Sequence, residues 1–219
     1  SFDMGGTSTD VALIESGHLP ITPEAQLDIH TVRAPTVDVI SIGSGGGSIA
    51  GIGPADRVTV GPRSAGASPG PACYGQGGEE PTVTDAHLVL GKIPAYLVGG
   101  EIKLDPELAH AAVTRFGEKL GLSTVDAAEG IIEIAAFNMS DTIRQVSVRR
   151  GRDPHDFALF ALGGAGPLHA CRLAQLLEIP TVVVPAHPGL GCALGLLVAD
   201  VKDDFMITAI IVQRCQTII

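Results

Sequence analysis

The chain has 219 residues, of which 28 are glycine, 15 proline and four cysteine, with no tryptophan and a formal net charge of −10. Hydrophobic residues make up 45% and charged residues 17%, the reverse of a disordered chain, so the glycine belongs to a globular protein with a sizeable core. The acidic balance argues against nucleic acid and anionic membrane surfaces as partners, because both attract lysine and arginine.

Val11 to Ile14 is β-prone, Glu15 to His18 is a turn, and Leu19 to Thr22 is expected to return as the second strand of a hairpin. Val37 to Ile42 alternates apolar and polar residues and reads as a strand running into Ser44-Gly45-Gly46-Gly47-Ser48. Arg57 to Val60 is another short strand. Gly61 to Gly78 then forms a long Gly/Pro/Ala/Ser loop, and a loop of that length is functional or mobile. Thr82 to Leu90 starts a helix near Thr84 or Asp85. Asp105-Pro106 caps a second helix that stops at Gly121. Ser123 caps a third, with Asp126 three residues later, and it runs to about Arg150. The last third alternates: strand Phe157–Leu162, helix Leu168–Leu177, strand Thr181–Val184, and a helical segment Cys192–Ala199. Strand–turn–helix–strand units make the class α/β.

The apolar runs break well short of the about 20 residues a membrane helix needs. Cys73, Cys171, Cys192 and Cys215 are widely spaced without a C-x-x-C pair, which excludes a zinc framework and fits a reducing cytoplasm. The chain opens on Ser1-Phe2-Asp3 and closes on the apolar stretch FMITAIIVQRCQTII, so it is expected to be a fragment of a longer protein.

Two glycine turns carry the chemistry. In Asp3-Met4-Gly5-Gly6-Thr7-Ser8-Thr9-Asp10, the glycines allow close backbone approach to an anion, and Thr7, Ser8 and Thr9 add hydroxyl donors. Asp3 suits a phosphate-bound Mg²⁺, directly or through water. Asp10 does similar work or simply hydrogen-bonds its own turn. A tight polar hairpin is the plainer alternative. In Gly163-Gly164-Ala165-Gly166-Pro167, small residues between a buried strand and a helix N-terminus leave room for a flat ligand such as adenine. The alternative there is a βα turn needing glycine only for packing. Neither turn is a Walker A loop.

Together the two turns resemble the actin–hexokinase–sugar kinase type of ATPase, where a hairpin holds phosphates and a later glycine turn holds adenosine. DMGGTSTDV, SIGSGGGSIA, GPRSAGASPGPACYG, PTVTDAHLVLG, GGAGPLHA and VPAHPGLGCALGLLVAD more closely resemble the hydantoinase A / 5-oxoprolinase family. That resemblance implies a ribonuclease H-like lobe over residues 1–204, with a mixed sheet flanked by helices and a long Gly-rich loop. Residues 205–219 are an atypical tail. It implies ATP and Mg as cofactors, with Gly5, Gly6, Thr7, Ser8 and Thr9 on the phosphates. Gly163, Gly164, Ala165 and Gly166 would lie on adenosine, and Asp3 and Asp10 would be the catalytic carboxylates.

The implied function is part of an ATP-dependent hydrolase opening a cyclic amide by phosphorylating a substrate carbonyl. A ketone carboxylase subunit and a non-catalytic assembly subunit are the alternatives. The implied partners are a missing N-terminal domain of the same protein and a hydantoinase B-type subunit. The chain alone is expected to lack coupled turnover.

Arg63 is a further candidate anion contact, and Asp85 is a helix cap or a site carboxylate. His87, His169 and His187 lack metal-ligand spacing and read as packing or surface residues.

Overall fold

The computed structural model describes residues 1–27, 30–33 and 35–200. The expected tail, residues 205–219, and Cys215 lie outside them.

The chain opens with β1 (Phe2–Met4) and β2 (Thr9–Ala12), an antiparallel hairpin around the first glycine turn. Two small ribbons follow: β3 (Ile21–Thr22), β4 (Ala25–Leu27), β5 (His30–Val32) and β6 (Thr36–Val37) pair as β3 with β6 and β4 with β5. Next come β7 (Val39–Ile42), β8 (Ser48–Ile52) and β9 (Val58–Ser64), and then α1 (Val83–Val89). A two-strand ribbon, β10 (Tyr96–Leu97) and β11 (Ile102–Lys103), precedes the long helices α2 (Pro106–Leu120) and α3 (Thr124–Val146). The chain then runs through β12 (Ala158–Leu162), α4 (Gly166–Leu177), β13 (Thr181–Val183) and α5 (Gly191–Val198).

The main sheet has the order β13–β12–β1–β2–β7. β1, β2 and β7 form an antiparallel meander, while β12 runs parallel to β1 and β13 parallel to β12. A three-strand meander extended by two parallel strands with helical crossovers is the ribonuclease H-like arrangement. It fixes the site. β1 and β12 are adjacent and parallel, so both their C-terminal ends reach the same edge, where open α/β sheets take ligands.

Phe2 and Met4 are fully buried in the core with Val11, Ile131, Ala135, Met139 and Leu173. α3 lies against β2, β7 and β9, and α4 against β1, β12 and β13. The helix signals read from the sequence act physically. The Asp105 carboxylate accepts from the Glu107 and Leu108 amides, Gly121 ends α2 in the left-handed region at φ 68°, and Ser123 Oγ accepts from the Asp126 amide.

Three expectations change. Val11–Ile14 and Leu19–Thr22 are not partners. β2 is filled on one side by β1 and on the other by β7, and a single bridge, Glu15 to His18, closes the turn. The expected loop at Gly61 is strand as far as Ser64, because the register shift between Ser48 and Ala50 absorbs Gly61 and Pro62 in a bulge. β8 hides in the sequence because glycines precede and interrupt it. No helix among the described residues is long and apolar enough to cross a membrane.

Candidate nucleotide and substrate cleft

The first glycine turn is built by the β1–β2 hairpin. The Gly5 amide donates to the Ser8 carbonyl at 3.0 Å, which closes the turn and leaves Gly6 and Thr7 exposed at its tip. A Cβ placed on Gly5 or Gly6 would meet nothing within 4 Å, so their open side faces free space. Thr9 departs from its expected role. As the first residue of β2 it is fully buried, and its hydroxyl donates to the Ser44 carbonyl, away from the turn's exposed tip.

The Ser44–Ser48 loop is a wall rather than a connector. Residues 44 to 50 are buried, and the Gly46 and Gly47 amides donate to the Gly5 and Gly6 carbonyls at 3.0 and 2.7 Å. A Cβ on Gly45 would lie 2.5 Å from the Thr7 nitrogen, so only glycine lets the loop pack this closely on the turn. Thr84 of α1 ties the loop in turn. Its amide and its hydroxyl both donate to the Gly46 carbonyl at 2.8 Å.

The second glycine turn stands beside the first. The Ala165 amide donates to the Met4 carbonyl at 3.0 Å, joining the two turns directly. Gly163 has φ +79°, and a Cβ there would lie 2.2 Å from the Met4 carbonyl oxygen and 2.5 Å from Asp3 Oδ1. Gly164 is exposed, with open space where its Cβ would be. A cavity of about 360 Å³ lies where these pieces meet. Gly5, Gly6, Gly46, Gly164 and Ala165 line it with Thr84 and His87, and its apolar walls include Tyr74, Ile93, Leu97 and Leu168.

Asp3 and Asp10 face one another across the β1–β2 ladder. The Cys192 thiol at the start of α5 donates to Asp3 Oδ2 at 3.0 Å, and the Ser41 hydroxyl donates to Asp10 Oδ1. That bond to Asp3 pushes the Cys192 thiol pKa up. Among the described residues, no group of three or more His, Cys, Asp or Glu is placed to hold a metal. Two opposed carboxylates beside an open glycine turn fit Mg²⁺, which binds one or two carboxylates and takes its other oxygens from phosphates and water. They do not fit a protein-caged metal.

His87 and His169 read from the sequence as separate packing or surface residues, because no spacing rule links them. His87 comes from α1 and His169 from α4, and their Nε2 atoms meet at 3.1 Å with the rings edge-on at 78°. Both are buried, and neither Nδ1 has a partner. Burial pushes the His87 pKa down to about 3, with His169 and Lys92 adding to it, and burial and Lys92 push His169 down to about 4. The pair is therefore neutral. One ring donates through Nε2 and the other accepts.

Two further candidates are spent elsewhere. The Arg63 guanidinium forms an exposed bidentate pair with Glu80. Asp85 is fully buried in α1, and its carboxylate accepts from the amides of Ala72, Cys73 and Thr82 and from the Thr82 hydroxyl. It completes a capping box as the N3 partner of the N-cap Thr82 and pins the Gly-rich loop to α1, so it serves the helix start and anchors the loop. His187 is exposed and apart from this pair.

The sheet order and crossovers define a ribonuclease H-like fold of the actin–hexokinase ATPase type. Known proteins agree. The Hydantoinase/oxoprolinase family model matches residues 1–205. The caprolactamase alpha subunit of Pseudomonas jessenii is 42% identical, over 94% of this chain and 30% of its own length. The acetophenone carboxylase gamma subunit of Aromatoleum aromaticum is 45% identical, over 91% of this chain and 28% of its own. 5-Oxoprolinase 1 of Arabidopsis thaliana is 37% identical, over 93% and 17%. The crystal structure of the ATP-dependent caprolactamase from Pseudomonas jessenii superposes with a TM-score of 0.83 at 42% identity, covering 91% of this chain and 29% of that one. Nucleotide-free acetone carboxylase superposes with a TM-score of 0.83 at 35% identity, covering 91% and 28%. The chain belongs to the hydantoinase/oxoprolinase family. It spans less than a third of the length of these relatives.

Proposed function

We propose that the chain forms the nucleotide-binding lobe of an ATP-dependent enzyme that opens a cyclic amide by phosphorylating its carbonyl oxygen. The observation that carries this is the convergence of two glycine turns on one cavity, at the C-terminal ends of the adjacent parallel strands β1 and β12. Bound Mg-ATP would supply the transferable phosphoryl group.

In this reading the residues have distinct work. Gly6, Thr7 and Ser8 offer backbone and hydroxyl donors to phosphate oxygens, with Gly5 giving the close approach. Gly163 and Gly166 shape the second turn, and Gly164 and Ala165 lie against adenosine. Asp3 and Asp10 would hold Mg²⁺, whose charge would offset that of the phosphates. Catalysis of this kind is positioning and charge neutralisation. Substrate opening would be completed with polypeptide beyond this chain: an N-terminal domain of the same protein and a hydantoinase B-type subunit. The relatives named as alpha and gamma subunits support a multi-subunit enzyme.

Two relatives are named carboxylases, which supports a second reading in which the phosphorylated carbonyl belongs to a ketone that is then carboxylated. Product analysis with a lactam, and with a ketone plus bicarbonate, separates the two. The test of the shared step is calorimetry of Mg-ATP binding to the full-length protein. Asp3→Ala or Gly164→Asp is expected to abolish binding without unfolding. A full-length protein that binds no ATP ends the reading.

A further inference from the structure

The turn that leads into α5 lies in the motif VPAHPGLGCALGLLVAD, and the proposed function gives it no work. The fold brings it to the cleft. The Gly163 amide donates to the Pro188 carbonyl at 2.9 Å, which ties the second glycine turn to the turn before α5. A Cβ at Gly191 would lie 2.6 Å from Leu162 Cδ2, so glycine lets α5 begin directly against β12. Leu162 is the β12 residue paired with Asp3, so α5 starts over the face of the sheet that carries Asp3.

Cys192 is the second residue of α5, and its thiol donates to Asp3 Oδ2 at 3.0 Å. On the other side, Asp3 Oδ1 lies so close to Gly163 that a Cβ there would come within 2.5 Å of it. The carboxylate is therefore gripped from two sides. Among the described residues, Cys192 is the one hydrogen-bond donor to it. Asp10 is held in the same way by another element, because the Ser41 hydroxyl of β7 donates to its Oδ1. Each carboxylate assigned to Mg²⁺ thus has one donor brought to it from elsewhere in the chain.

A thiol is a weak donor and this one is exposed, so the bond adds little to the stability of the fold. Its effect is on direction. The terminal torsion of an aspartate is broad, so an unheld carboxylate samples many orientations. One held in place meets a cation without first being ordered. A carboxylate has about four lone-pair sites, so one bond from Cys192 leaves others for the cation.

We propose that Cys192 is a positioning residue for the Mg²⁺ site, its thiol holding the Asp3 carboxylate in the orientation that meets the metal of Mg-ATP. The proposal rests on the roles given to Asp3 and Asp10 under Proposed function and adds the start of α5 to the cleft. It concerns the hydrogen bond that the thiol donates. Cys192 itself touches neither metal nor nucleotide.

The test is calorimetry of ATP binding to the full-length protein, once with Mg²⁺ and once with EDTA in its place. The readout is the ratio of the two affinities. Cys192→Ala removes the donor and is expected to lower that ratio about tenfold while the metal-free affinity stays within about twofold. Cys192→Ser restores a donor and is expected to bring the ratio back to within about threefold of the unmutated protein. Cys171→Ala, which removes an exposed thiol on α4, controls for loss of a cysteine as such. Thermal unfolding checks that each variant folds, and Cys192→Val replaces the alanine variant if that one does not.

An unchanged ratio in Cys192→Ala overturns the proposal. So does an equal loss of affinity with and without Mg²⁺, which is what a purely structural role would give, or a serine variant no better than the alanine one. In those cases the unmutated protein still binds Mg-ATP and the parent reading stands. Absence of Mg-ATP binding in the unmutated protein removes both.

Discussion

His87 on α1 and His169 on α4 meet Nε2 to Nε2 at 3.1 Å, beneath the cleft. They are 82 residues apart in sequence, and their hydrogen bond joins the helix that holds the Ser44–Ser48 loop to the helix that leaves the second glycine turn.

Burial of the two rings makes stability depend on pH with a definite sign. Both folded-state pKa values, about 3 and about 4, lie below the ordinary 6.5. As pH falls, the unfolded chain takes up protons first. The stabilisation is therefore complete above about pH 6.5 and is lost as pH falls toward 4, at up to about 1.4 kcal/mol per pH unit for each ring. Lys92 is the charged group acting on both rings. His155, raised by Asp153 and Glu178, contributes in the opposite direction and must stay in place as an internal control. Urea midpoints between pH 7 and 5 should fall in the wild type, and the slope should flatten in a His87→Phe/His169→Phe double variant. An unchanged slope would show that the rings titrate normally.

The two turn glycines should respond differently to alanine. Gly163→Ala forces a side chain into φ +79° and onto the Met4 carbonyl, so it should cost about 2 kcal/mol or more of stability. Gly164→Ala meets open space and should cost less than about 1 kcal/mol, yet it narrows the cleft and should weaken ligand binding. Thermal unfolding and nucleotide calorimetry on both variants separate fold from function. Equal destabilisation by the two would refute the turn geometry.

Asp85→Asn replaces a carboxylate that accepts four hydrogen bonds with a group that must turn an NH₂ toward donors. A loss of about 2–4 kcal/mol is expected, concentrated where the Gly-rich loop meets α1. Hydrogen exchange should show the Ala72 and Cys73 amides losing protection ahead of the α3 amides. Uniform protection in the variant would leave Asp85 without its anchoring role.

Cys192 reports on Asp3. The thiol is exposed, and its bond to Asp3 holds its pKa up, so it should alkylate slowly near neutral pH. Asp3→Asn should speed alkylation at Cys192 and leave exposed Cys171 unchanged, as read by site-resolved mass spectrometry. Equal rates at Cys192 with and without the Asp3 carboxylate would break the link.

The sequence determined the helices, the caps, the α/β class and both glycine turns, and its family resemblance implied the ribonuclease H-like lobe. Those features are written in local chemistry: Asp105-Pro106 and Gly121 bound α2, Ser123 starts α3, and glycine marks a backbone that must come close to something. The family motifs carried the same information in ordered form. Only the tertiary structure decided what each polar group near the turns does. Thr9 and Asp85 look like site residues by type, but strand alternation buries one and a capping box consumes the other. Arg63 looks like an anion contact and is paired with Glu80. His87 and His169 look like solitary core residues, and crossover packing of α1 against the rest of the helical layer brings them together under the cleft. Partners separated by dozens of residues leave no spacing rule in one sequence, because their meeting depends on which helices the sheet order sets side by side.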